Sequence, residues 1–145
     1  MTEVEFHTGV TDPVAFACRL LGKAYRTGAR VLVTAPAERL TTLDRALWLI
    51  DEREFIPHAR LPGSAAVLSR SPLWLATDVA VAANAAVRAP GVLLNVGADA
   101  PASLDGLSRL IEVVGAEAEE RDAGRVRWHI YKAQGLAIKH HNAAG

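Results

Sequence analysis

The stretch Gly28-Ala29-Arg30-Val31-Leu32-Val33-Thr34 decides the fold class. Gly28 ends an amphipathic helical pattern, as glycine does where a chain must leave a helix. Arg30 to Thr34 then reads as a strand with three contiguous apolar residues. A strand that is apolar on both sides belongs to a parallel sheet covered on both faces.

Upstream, Val4 to His7 alternates, with Val4 and Phe6 on one side and Glu5 and His7 on the other, which predicts a strand. Thr11-Asp12-Pro13 opens a helix, Asp12 as N-cap and Pro13 at the first helical position. Val14, Ala17, Cys18, Leu21, Ala24 and Tyr25 give that helix its stripe. Downstream, Ala37 to Ile50 is a second helix with Leu40, Leu43, Leu47 and Ile50 on one face. Arg53 to His58 is strand-like, Pro62-Gly63-Ser64 is loop, and Leu73 to Ala76 is a short strand. Val79 to Val87 reads as loop or short helix, and Gly91 to Val96 as a Val- and Leu-rich strand. Leu104, Leu107, Ile111 and Val114 predict a helix over Pro101 to Val114. Glu117 to Gln134 is a last helix, Leu136 to His140 an extended segment, and 141–145 a flexible tail.

Strands alternating with helices predict a three-layer α/β/α sandwich with a mostly parallel sheet and right-handed crossovers. The expected topology is of the nucleotide-binding kind, in one domain spanning 1–145. Of the 145 residues, half are apolar and 22% charged, which fits a folded chain with a real core. Sixteen basic residues balance sixteen acidic ones, so there is no broad positive field to hold a nucleic acid backbone. Cys18 is the single cysteine and no signal peptide is visible, which predicts a reducing cytoplasm and an inert, buried thiol. No apolar run reaches the length of a membrane span.

Catalytic signatures are absent. Thr8-Gly9-Val10-Thr11-Asp12-Pro13 and Thr34-Ala35-Pro36-Ala37 follow strands without the glycine-rich turn and Lys of a phosphate-binding loop. Gly97-Ala98-Asp99-Ala100-Pro101 carries an acid that would repel phosphate. No Gly-x-Ser-x-Gly elbow occurs. His140 and His141 are adjacent and point to opposite sides of an extended chain. No Cys or Asp falls at ligand spacing near them, so neither metal nor cofactor is expected.

Two features point to binding. Trp48 sits about a quarter turn off the second helix's stripe and is followed by Phe55-Ile56-Pro57-His58. The two aromatics suit either a protein-facing anchor or ordinary core filling. On the last helix, Arg121, Arg125, Trp128, His129 and Lys132 share a face, while Ala123, Val126, Ile130 and Ala133 form an apolar strip expected to pack on the domain. A basic stripe with an aromatic in it suits a ligand with an apolar group and carboxylates. It equally suits a solvated face answered by Glu117, Glu119 and Glu120.

The chain resembles the chi subunit of bacterial DNA polymerase III, a clamp-loader accessory. The likeness runs through Phe6-His7, Ala17-Cys18-Arg19-Leu20, Gly28 to Val33, Leu43-Asp44-Arg45-Ala46-Leu47-Trp48 and Phe55-Ile56-Pro57-His58. It continues through Val92-Leu93-Leu94-Asn95-Val96-Gly97, Arg109-Leu110-Ile111-Glu112-Val113-Val114 and Arg125-Val126-Arg127-Trp128-His129-Ile130-Tyr131-Lys132. Between Pro62 and Pro90 only Pro72-Leu73-Trp74-Leu75-Ala76 aligns. The resemblance implies a non-catalytic bridge between two partners, paired one to one with the first. That first partner is the psi subunit of the clamp loader, met through Trp48 and Phe55. The other is the acidic, Phe-ending C-terminal tail of single-stranded-DNA-binding protein. Arg125, Trp128, His129 and Lys132 would hold it, with Arg121 at the rim and Val114 in the apolar wall. Trp128 stands where the family pattern has Tyr, and His129 where it has Lys; an imidazole holds an anion less firmly than an ammonium. The competing readings are a nucleotide-binding enzyme on an α/β sheet and a direct single-stranded-DNA binder.

Overall fold

The structure, a computed structural model, describes residues 2–49 and 56–143. Seven parallel strands form one sheet in the order β3-β4-β2-β5-β6-β1-β7. They are β1 (Glu3–Val10), β2 (Val31–Thr34), β3 (His58–Arg60), β4 (Leu73–Ala76), β5 (Val92–Asn95), β6 (Arg109–Gly115) and β7 (Ile138–Asn142). The helices are α1 (Pro13–Arg26), α2 (Ala37–Leu49), α3 (Ala65–Arg70), α4 (Val79–Ala83) and α5 (Ala118–Ala133).

The chain moves one way along the sheet through α1 and α2, and the other way through α3, α4 and α5. Right-handed crossovers then require the two sets to lie on opposite faces. The two apolar cores confirm it. One packs Leu21 of α1 and Leu40, Leu43 and Leu47 of α2 against Val31, Val33, Leu75 and Leu94. The other packs Leu68, Ala82 and Tyr131 against Phe6, Leu32, Trp74 and Leu93. Val31 and Leu32 thus face different cores and both are buried, as the apolar run at β2 demands.

The start of α1 follows its sequence signals. Asp12 accepts from the Ala15 N–H at 3.1 Å, and Pro13 occupies the first turn. Cys18 is buried, and burial pushes its thiol up to about 11, with Asp12 adding to the shift. It remains an unreactive thiol at neutral pH.

Three expectations are corrected. The helix over Pro101 to Val114 does not form. Gly106 takes φ +81°, and the Leu107 N–H closes a turn on the Leu104 carbonyl at 3.1 Å. Arg109–Gly115 then fills the slot between β5 and β1. Leu104, Leu107, Ile111 and Val114 match a helical face by spacing, yet Ile111 and Val114 point into opposite cores. A vacant central position in the sheet outweighs that local periodicity.

A short helix, α3, follows the Pro62-Gly63-Ser64 loop. Ser64 caps it by accepting from the Val67 N–H, and Leu68 is its buried residue. The strand near residue 58 is His58–Arg60, starting where the predicted segment ended; residues 53–55 of that segment lie outside the described residues. The C-terminal segment is not a loose tail through residue 143. His141 and Asn142 belong to β7, paired with β1, and the Ala143 N–H donates to the Thr8 carbonyl at 2.8 Å.

Candidate binding site

Helix α5 is anchored by a polar group. Glu112, at the centre of β6, is fully buried. Its Oε1 accepts from Arg127 Nε at 2.9 Å, and its Oε2 from Tyr131 Oη at 2.6 Å and Asn95 Nδ2 at 3.0 Å. Burial raises the Glu112 pKa, opposed by Arg127, Tyr131 and Asn95. Burial, then the Glu112 charge and hydrogen bond, push the Tyr131 phenol well above its ordinary value, so it stays protonated and donates.

This phase of α5 corrects a further expectation. The residues turned to the sheet are Gly124, Arg127 and Tyr131, at helical spacings of three and four. The strip of Ala123, Val126, Ile130 and Ala133 faces outward, with Val126 60% and Ile130 39% exposed. Gly124 sets how closely the helix approaches. A Cβ there would stand 2.7 and 2.9 Å from the two methyls of Val114.

Between α5 and the ends of β6, β1 and β7 lies an open pocket of about 610 Å3. Its floor is apolar and aromatic. Phe6 packs edge-on against Trp128 with ring centroids 5.0 Å apart, and Val114 and Gly115 form the wall beneath Gly124. Trp128 meets the His140 ring edge-on at 5.5 Å, and His140 Nε2 is 2.7 Å from the Thr8 hydroxyl. β7 therefore builds one side. Arg121, Arg125 and His129 line the α5 side.

Of the residues singled out from sequence, Arg121, Arg125, Trp128, His129 and Val114 come together in this pocket. Lys132 does not line it; its Nζ lies 5.9 Å from the Trp128 ring centroid. Of the acids expected to neutralise the stripe, Glu120 pairs with Arg39 of α2. Asp122 approaches Arg125, at 3.7 Å between groups about 70% exposed. Such an exposed pair is weak.

Phe6, Thr8, Gly9 and His140 also line the pocket and were not found from sequence. Phe6 and His140 face each other in the β1–β7 register, a pairing between residues 134 apart that no local pattern announces. Gly9 carries the turn of the β1 irregularity between His7 and Val10, at φ 67°. That conformation favours glycine.

Trp48 lies on the other face of the sheet, at the end of α2. It is 58% exposed, and Leu49 beside it 75%. Its ring stands edge-on to His58 at 5.2 Å, and His58 is held by Asp44 at 2.7 Å and the Ile56 carbonyl at 2.8 Å. Core filling is thus excluded for Trp48. Phe55 lies outside the described residues.

No helix among the described residues is long and apolar enough to cross a membrane. A model of the DNA polymerase III chi subunit family (HolC) matches residues 1–139. The chain is also 31% identical to DNA polymerase III subunit chi of Pseudomonas aeruginosa, over 97% of this chain and 96% of that protein. The family is an accessory, non-catalytic part of the polymerase. By both measures, the chain belongs to the DNA polymerase III chi subunit family.

Proposed function

We propose that the chain bridges two partners within the polymerase III assembly in the cytoplasm. The pocket under α5 takes the acidic, Phe-ending C-terminal tail of single-stranded-DNA-binding protein. The surface around Trp48 and Phe55 takes the psi subunit of the clamp loader.

One observation carries the first half of this reading: an aromatic floor with a basic rim. A Phe ring fits against Phe6, Val114 and Trp128. Its terminal carboxylate and the upstream acids then meet Arg121, Arg125, His129 and Lys132. Hydrophobic burial holds the ring and charge attracts the rest. A short peptide buries little surface, so the affinity should be about micromolar, in keeping with a contact that is made and released. The neutral chain, 16 against 16, lacks the net positive charge that favours direct binding of single-stranded DNA.

The second half rests on the exposed Trp48 and Leu49, set on the face and sheet end away from the pocket. Aromatic residues dominate protein–protein contact energy. Placing the two partners on separate surfaces lets both be held at once.

The test titrates a labelled acidic peptide ending in Phe, alongside co-purification with psi. Arg125→Glu and Lys132→Glu should each weaken the peptide at least about tenfold, roughly 1.4 kcal/mol or more, with unchanged melting temperature. Trp48→Ala and Phe55→Ala should lose psi and keep the peptide. Unchanged peptide affinity in both charge reversals would remove the pocket assignment, and wild-type psi recovery in both aromatic variants would remove the second surface.

A further inference from the structure

On the opposite side of the β1–β7 edge from the pocket, Glu5, His7 and His141 converge. His7 Nε2 is 3.2 Å and His141 Nε2 3.0 Å from Glu5 Oε1, and the three ligand atoms lie within 4.8 Å of one another. Strand pairing builds the cluster: His7 and His141 are register partners, and Glu5 is two residues along the same face. His141 lies beyond the residues that the family model matches.

We propose that Glu5, His7 and His141 form a two-histidine, one-carboxylate site for a borderline divalent transition metal such as Zn2+, pinning the C-terminal strand to β1. Ligands on a tetrahedral ion with bonds of about 2.0–2.1 Å stand about 3.3 Å apart, close to the two Glu5–imidazole distances, and the three atoms, within 4.8 Å of one another, close up around the ion. Imidazole and carboxylate donors select this class of ion over Mg2+ or Ca2+. Glu5 is already oriented: its Oε2 accepts from Arg109 at 2.8 Å, leaving Oε1 for the ion. Such outer contacts fix a ligand's direction.

His7 and His141 both direct Nε2 at Glu5 Oε1. The two rings lie 16° from parallel with centroids 4.8 Å apart, so each turns about its side-chain bonds to aim at one ion. His141 is half exposed and has room to do so. A fourth position stays open to water. The Arg109 charge beside Glu5 opposes a dication, which limits affinity without blocking the site.

Metal-stripped full-length chain should be titrated with Zn2+ by calorimetry and with Co2+ by visible absorption. Saturable binding of one ion per chain is expected, with a rise in melting temperature. His7→Gln and His141→Gln should each weaken binding by about tenfold or more. His140→Gln should leave it within about twofold, because that ring faces the other side of the sheet. His141→Gln, at a half-exposed edge position, should keep the apo melting temperature. No saturable binding, or unchanged affinity in both ligand variants, would overturn the proposal. So would equal loss in His140→Gln, which would mark chelation by the adjacent His140-His141 pair.

Discussion

Arg125 and Arg127 stand two residues apart on α5 and work in different media. Arg127 is 5% exposed and bonded at 2.9 Å to a carboxylate that water never reaches. Arg125 is 69% exposed, and Asp122, 3.7 Å away, is equally exposed. Two residues on a helix are about 200° apart, so one side chain points into the sheet and the other over the pocket. Inside, the pair locks the helix in place and breaking it is costly. Outside, a cation contributes almost nothing to stability and is available to an incoming anion. A charge on α5 therefore has no assignable role until the helix is phased against the sheet.

The largest effect should come from breaking the inner pair. Arg127→Met leaves Glu112 buried without its cation and should cost about 3–5 kcal/mol in urea denaturation. Glu112 already has a raised pKa from burial, and removing Arg127 takes away the main group opposing it. A carboxyl raised in the folded state supports stability below its unfolded value and loses that support as pH rises. The deficit of the variant should therefore shrink at about pH 4 and grow toward pH 7. Adding Glu112→Gln should recover part of the loss at pH 7. A double variant no more stable than Arg127→Met would show that lost packing, and not the stranded charge, sets the cost.

An intermediate effect should come from the seam between the two regions. Gly124→Ala improves helix propensity by about 1 kcal/mol. Its Cβ meets the Val114 methyls, which are buried and stiff at χ1. The collision should win, with a net loss of about 1–3 kcal/mol and weaker peptide binding as the pocket wall shifts. In a Val114→Ala background the same change should be stabilising. Failure of that sign to invert would remove the Gly124–Val114 contact as the determinant of helix depth.

How much of this could be read in advance follows from how local each signal is. The α2 stripe at Leu40, Leu43 and Leu47, the Asp12 cap and the doubly apolar Val31 to Val33 run are local, and the structure has them as expected; Ile50, the fourth member of that stripe, lies outside the described residues. The basic residues of the pocket were legible through helical spacing and the family likeness. The depth and phase of α5 were not, because an apolar strip at Val126 and Ile130 looked like the packing face. The actual face carries Arg127 and Tyr131, whose partner Glu112 sits in the middle of an otherwise apolar run. A lone Glu within Leu110 to Val114, facing an Arg and a Tyr four residues apart, was the available sign. Phe6, Thr8 and His140 needed the β1–β7 pairing, which no window of sequence contains.

The smallest effect should come from the outer acid itself. Asp122 competes for Arg125 with any carboxylate that arrives at the rim. Asp122→Asn should leave unfolding free energy within about 0.5 kcal/mol, since an exposed pair carries little. It should nevertheless tighten an acidic peptide, by about twofold at low salt, because one negative charge leaves the rim. The gain should fade above physiological ionic strength, where the screening length is about 8 Å or less. Tightening at low salt that disappears with salt marks the rim as an electrostatic collector. Weakening in Asp122→Asn would instead make Asp122 the group that aims Arg125, and would bring the outer pair closer in kind to the inner one.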